Sequence, residues 1–331
     1  MPVYKFEKSY SCLISAPPPL NAIVLPFLPY FLMSKDKNLI IDVWDYNLED
    51  EMKKISKLIE KYSFVAMDTE FPGIIHFPGK IKESNYKNIK TNVDELKLIQ
   101  CGISISDEKG NSPTECSTWQ FNLKFDKNRD RSASDSIALL VSSGIEFEKL
   151  VTEGISHDSF GEALITSGLI LNEDIKWISF HGSYDFSYLL KVITNLPLPE
   201  TEISFLETLK LYFPSIYDIR HMTRNLDGLS KSLQRLAQDL DVSRIGTQHQ
   251  AGSDALITLN VYHKLVENYL TPDNIKKDEN SKLITQNQND IISKEFTINE
   301  ATSNIANLLN KNAELDSQNL QFDEIILALT P

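Results

Sequence analysis

Phe64-Val65-Ala66-Met67-Asp68-Thr69-Glu70-Phe71 runs from apolar residues straight into two carboxylates one residue apart. The unbroken apolar lead reads as a buried strand, and residues i and i+2 of a strand share a face. Asp68 and Glu70 are therefore set side by side at a strand end, where two anions repel each other. A divalent cation removes that conflict, because Mg²⁺ prefers carboxylate oxygens and water.

Working outward, Asn47 opens a helix with Glu49, Asp50 and Glu51 in its first turn, where carboxylates suit the helix dipole. Met52, Ile55, Leu58, Ile59 and Tyr62 fall on one face of it. After the acidic strand, Ile99 to Ile105 and Trp119 to Phe125 alternate as two further strands, with a turn at 108–111, and read as an antiparallel hairpin. Helices are expected over 135–142, 159–166, 184–193, 202–212, 229–240 and 253–269, and strands over 176–180 and 216–219. Three strands followed by strands alternating with helices predict an α/β fold, a mixed central sheet with helices on both faces.

The chain has 331 residues, room for one large domain or two small ones. A net charge of −13 argues against a protein that coats nucleic acid through a global basic field, but leaves room for an enzyme that holds a strand locally. Cys12, Cys101 and Cys116 are too scattered for a disulfide framework or a zinc cluster. Residues 1–38 form a Pro-rich leader without charge from Ser9 to Ser34. Its prolines would break a helix repeatedly, and its dense apolar part falls short of the ~20 residues a spanning helix needs. No membrane association is expected, and Met33 also reads as a plausible natural start. Residues 39–270 are expected to form the folded domain. Residues 271–331 shift to Asn, Gln, Lys, Asp and Glu and read as a disordered or loosely helical acidic tail, with short amphipathic helices possible at 298–309 and 322–329.

Two other places supply partners for Asp68 and Glu70. Asp185 follows the strand at 176–180 at the start of a helix, and Asp254 opens the last helix, five residues after His249. Taken singly, Asp185 and Asp254 also read as ordinary N-terminal helix acids, and His249 as a surface loop residue. Together they occupy strand ends and helix starts, where α/β proteins build sites. Four converging carboxylates demand cations, and a two-metal phosphodiesterase site has this requirement. A histidine beside them can accept the proton of an attacking water near neutral pH.

Four longer stretches carry a resemblance: FVAMDTEFPG (64–73), STWQFNLKF (117–125), SFHGSYDFSYL (179–189) and QHQAGSD (248–254). They resemble the CAF-type, or Pop-type, mRNA deadenylases of the His-containing branch of the DEDD exonucleases, the nuclease subunit of the Ccr–Not complex. The likeness covers about residues 40–269 in family order. It implies a ribonuclease-H-like fold and 3′→5′ removal of poly(A) from single-stranded RNA, releasing 5′-AMP. It implies two Mg²⁺ or Mn²⁺ ions held by Asp68, Glu70, Asp185 and Asp254, with His249 as general base. It further implies a cytoplasmic and nuclear protein that binds the large Not scaffold and antiproliferative Tob/BTG-type proteins. Gly182-Ser183 stands where the family usually has Ser-Gly; both are small, so the same tight turn is expected. Phe71, His181 and Tyr184 lie beside the acids and are candidate substrate contacts, with wall or core packing as the alternative. Lys124, Lys127, Arg129 and Arg131 either contact phosphates or form a solvated loop, and His263 reads as structural. A related exonuclease acting on other RNA or DNA, and a catalytically idle scaffold subunit, are the other readings.

Overall fold

The computed structural model describes residues 40–77, 85–224, 226 and 228–269. The leader, the tail and its two amphipathic stretches lie outside the described residues. In chain order the elements are β1 (Ile40–Val43), α1 (Leu48–Leu58), β2 (Phe64–Glu70), α2 (Asn85–Glu95), β3 (Gln100–Ser106), β4 (Thr118–Asn122), α3 (Ser134–Ser142), α4 (Phe147–Glu153) and α5 (His157–Thr166). Then come β5 (Lys176–Ser179), α6 (Ser183–Thr194), α7 (Glu202–Tyr212), β6 (Ile216–Asp218), one-turn α8 (Ile219–Met222), α9 (Leu233–Asp239) and α10 (Ala251–Tyr269).

The six strands form one mixed sheet in the order β1-β4-β3-β2-β5-β6. β2 is central, antiparallel to β3 and parallel to β5. A strand covered on both faces reads as a continuous apolar run, which accounts for the Phe64–Met67 lead. Val65 and Met67 face a core built with Ile55, Ile89, Phe160, Phe186 and Phe205 from α1, α2, α5, α6 and α7. Ala66 faces the opposite side, against Ile178, Leu236, Ile257, Tyr262 and Leu265. The expected helices on both faces are present. The odd and even residues of β2 thus have different neighbours, and Asp68 and Glu70 continue the even, α10-facing row.

β3 and β4 pair antiparallel, as the alternation predicts. Asp107 closes their connection: its backbone N–H donates to the Asn111 carbonyl at 2.9 Å and its Oδ1 accepts from the Lys109 and Asn111 amides. β1 is an addition to the expected strands, pairing parallel with β4. It is a four-residue edge strand interrupted by Asp42, whose Oδ1 accepts from Gln120 Nε2 at 2.8 Å and Asn122 Nδ2 at 3.2 Å. α2 and α4 are also additions. In α2 the buried Tyr86, Ile89 and Val93 keep helical spacing but are diluted by Asn, Lys and Thr. The helix expected over 229–240 is shorter, beginning at Leu233 after a Ser230-Lys231-Ser232 lead. Among the described residues no helix is long and apolar enough to cross a membrane.

Candidate active site

β2 delivers Asp68 and Glu70 to the sheet face covered by α10. Opposite them on β3 stand Gly102 and Gln100. Gly102 permits the close approach of α10: a Cβ there would lie 1.9 Å from the Ala251 carbonyl oxygen. The first amides of α10, which have no partners within the helix, are met by side chains from the sheet. Ala251 N donates to Gln100 Oε1 at 3.3 Å and Gly252 N to Gln120 Oε1 at 3.0 Å. Gln100 Nε2 in turn donates to Asn122 Oδ1 and to Gln250 Oε1. This polar patch seats the helix start, and with it Asp254, over the β2 acids.

His249 precedes that helix with a left-handed backbone (φ 61°), strained for a residue with a Cβ. Its N–H donates to Asp254 Oδ2 at 2.9 Å, so Asp254 also fixes the histidine's backbone. One ring nitrogen of His249 and one carboxylate oxygen each of Glu70 and Asp254 lie within 4.8 Å of one another. Asp254 is buried, and its Oδ1 accepts from Arg244 Nη1 at 2.5 Å.

Asp185 arrives from the other face. It sits in the first turn of α6, and its Oδ1 accepts from Thr69 N at 2.9 Å and Thr69 Oγ1 at 2.5 Å. Thr69, between the two acids, points to the opposite face from them and binds the third. The β5–α6 turn is tight, as expected for Gly182-Ser183. A Cβ on Gly182 would fall 2.6 Å from Ser179 Oγ, while His181 carries the positive φ of 63°. Asp218, at the end of β6, clamps this turn by accepting from Gly182 N at 2.8 Å and Ser179 Oγ at 3.1 Å.

All four acids thus belong to one electrostatic cluster. Burial, then the charges of Asp185, Asp254 and Glu70, push the Asp68 carboxyl well above the usual carboxylate range, with Arg244 opposing. Burial, then Asp254 and Asp185, push Glu70 up to about 8, again with Arg244 opposing. Burial pushes Asp185 up to about 6, while its hydrogen bonds from Thr69 hold it down. A set of hard oxygen donors that cannot all ionise unaided is the donor chemistry that suits Mg²⁺ or Mn²⁺. The residues present therefore fit divalent cations.

Phe71 stacks on Tyr184 (centroids 5.2 Å, planes 20° apart) and on Tyr188 (5.1 Å, 28°). Phe71 and Tyr184 are half-buried and pack against the larger core, Tyr184 next to Asp185 in α6. His181 is exposed, its Nδ1 3.1 Å from Arg220 Nη1. Lys127 pairs with Glu148, Arg129 with Asp126 and Arg131 with Glu95, the pattern of a solvated loop. His263 meets Ser106 Oγ at 2.7 Å and packs on Phe64, a structural role as read. Thr69, Gln100, Gln120 and Arg244 are the site residues that sequence reasoning missed. Only their proximity in sequence to Asp68, to β-strand periodicity or to Asp254 marks them.

Comparison with known proteins extends the geometry. Residues 43–163 match the family described as CAF1 family ribonuclease. Poly(A) ribonuclease pop2 of Schizosaccharomyces pombe is 48% identical over 234 residues, covering 70% of each chain. A protein of Arabidopsis thaliana, probable CCR4-associated factor 1 homolog 7, is 48% identical over 250 residues, covering 72% of this chain and 90% of its own. The solved S. pombe Pop2p in its Mg²⁺- and Mn²⁺-bound form superposes with a TM-score of 0.68 over 70% of this chain and 94% of its own, at 48% identity. Yeast CAF1 crystallised with the NOT1 MIF4G domain gives a TM-score of 0.63 at 29% identity, covering 74% of this chain and 95% of that one. A likeness of that depth over seven-tenths of the chain is common descent: the chain belongs to the CAF1 family of ribonucleases.

Proposed function

We propose that this ribonuclease is a poly(A)-specific 3′→5′ exoribonuclease, an mRNA deadenylase that hydrolyses the terminal phosphodiester and releases 5′-AMP. The observation that carries the reading is the gathering of Asp68, Glu70, Asp185, Asp254 and His249 at one end of β2 in a chain 48% identical to a poly(A) ribonuclease. Asp68, Glu70, Asp185 and Asp254 would hold two divalent cations, Mg²⁺ or Mn²⁺. When bound, these supply charge neutralisation at the phosphodiester and acidity for the attacking water.

The chain's own residues do the rest. His249, held at its backbone by Asp254, stands next to the acids and takes the proton of the water. Thr69 opposes the effect of burial on Asp185 and points it at β2. Phe71 and Tyr184 offer a stacking wall for the terminal base, and His181 a polar contact at its edge. Domain limits of 39–270, association with the large Not scaffold and with Tob/BTG-type proteins, and a cytoplasmic and nuclear location belong to the same proposal. The Not partner is supported by the yeast CAF1–NOT1 MIF4G structure.

The test is a 5′-labelled RNA ending in oligo(A), incubated with Mg²⁺ or Mn²⁺ and then with EDTA, beside oligo(U) and single-stranded DNA. A ladder that shortens from the 3′ end, stops near the tail boundary and vanishes on chelation is the expected result. Equal degradation of all three substrates would reassign the specificity; an inert chain would reassign the activity.

A further inference from the structure

Arg244 is a cation set among acids. It lies on the segment between α9 and α10, with its side chain only 11% exposed. Its Nε donates to Gln234 Oε1 of α9 at 2.6 Å. Its Nη1 donates to Ser253 Oγ at 3.0 Å and to Asp254 Oδ1 at 2.5 Å. Ser253 Oγ in turn donates to the Ile245 carbonyl at 2.7 Å, closing a ring of contacts back to Arg244's neighbour. With Oδ1 held by Arg244 and Oδ2 by the His249 amide, both oxygens of Asp254 have fixed directions.

We propose that Arg244 is a positioning residue of this site, a guanidinium anchored on α9 that orients Asp254 for cation binding. The inference rests on the reading of the four acids as cation ligands. The physical alternative is a mere counter-charge. A fixed positive charge repels incoming divalent ions, so as a counter-charge its removal would tighten cation binding. As an orienting group its removal loosens Asp254 and weakens binding, as loss of groups that hold metal ligands generally does. The planar fork explains the choice of residue. A lysine keeps the charge but cannot reach Gln234, Ser253 and Asp254 with one rigid group.

The experiment strips the full chain of cations and titrates it with Mn²⁺, reading free Mn²⁺ by electron paramagnetic resonance. Melting of the cation-free form is recorded in parallel. Arg244→Gln is expected to weaken Mn²⁺ binding by about 10–100-fold, and Arg244→Lys by about tenfold despite its charge. Gln234→Leu, which leaves Arg244 and every acid in place, is expected to weaken it several-fold, and it decides the matter if the Arg244 variants do not fold. All three are expected to melt below the unaltered cation-free chain. Unchanged or tighter Mn²⁺ binding in Arg244→Gln and Gln234→Leu, with the unaltered chain binding normally, overturns the positioning role alone. Absence of Mn²⁺ binding in the unaltered chain overturns the cation reading and this inference with it.

Discussion

At the scale of single residues, the acids conflict with the fold that holds them. Burial among three like charges holds the Asp68 carboxyl well above the usual range. Asp68→Asn is therefore expected to act in opposite directions on activity and stability. It should cost at least ~10²-fold in rate, since it strips cation ligation from the transition state. It should also raise the melting temperature of the cation-free protein, because the cost of burying an ionisable carboxyl there is gone. Rate assays and thermal melts in EDTA check the two halves. Thr69→Val removes one of two donors to Asp185 Oδ1 while keeping the shape of the side chain. A loss of about 10–100-fold in Mn²⁺ affinity is expected, with the far-ultraviolet spectrum unchanged. The acids themselves were legible in the sequence, because carboxylates at strand ends and helix starts leave a pattern. Thr69 and Arg244 were not, because their roles depend on which face of β2 meets α6 and on where α9 ends. Neither fact is local.

At the scale of elements, the site depends on how closely α10 lies against the sheet. Gly102 sets that distance: any side chain there runs into the Ala251 backbone, which cannot rotate away as a flexible side chain could. Gly102→Ala is expected to destabilise the fold by about 1–3 kcal/mol, the usual range for overpacking. Its activity should fall further than the folded fraction does, because the shift lifts Asp254 and His249 from Asp68 and Glu70. Chemical denaturation and turnover measured on the same preparation separate the two effects. β2, the β3–β4 hairpin and α7 were readable from periodicity; α7 spans Glu202–Tyr212, as its spacing predicts. β1 escaped because Asp42 interrupts a four-residue strand, and that charge is absorbed by Gln120 and Asn122 on the neighbouring strand. Gln100 and Gln120 carry a role that alternation does not reveal. Amides on a sheet face signal solvent in most strands, whereas these cap a helix.

For the whole molecule, the raised carboxyls couple stability to pH and to cations. Glu70 moves from 4.5 to about 8, and Asp185 from 3.8 to about 6. A carboxyl whose folded value exceeds its unfolded value favours the fold while protonated. That contribution is complete below pH ~4 and disappears as pH rises through 6 and 8. The cation-free chain is thus expected to melt lower at pH 8 than at pH 6. Mg²⁺ or Mn²⁺ should restore it more strongly at pH 8, by roughly 5 °C or more, as a gain of a few kcal/mol would in a domain of this size. Scanning calorimetry with EDTA and with Mn²⁺ at both values checks the sign. The order of the chain adds a consequence for synthesis. Asp68 and Glu70 leave the ribosome early, but His249, Asp254 and the helix that covers their side of the sheet come last. A nascent chain still short of His249 carries three of the four clustered acids but neither the histidine nor Asp254. The cluster is therefore complete only when translation of the domain is nearly finished.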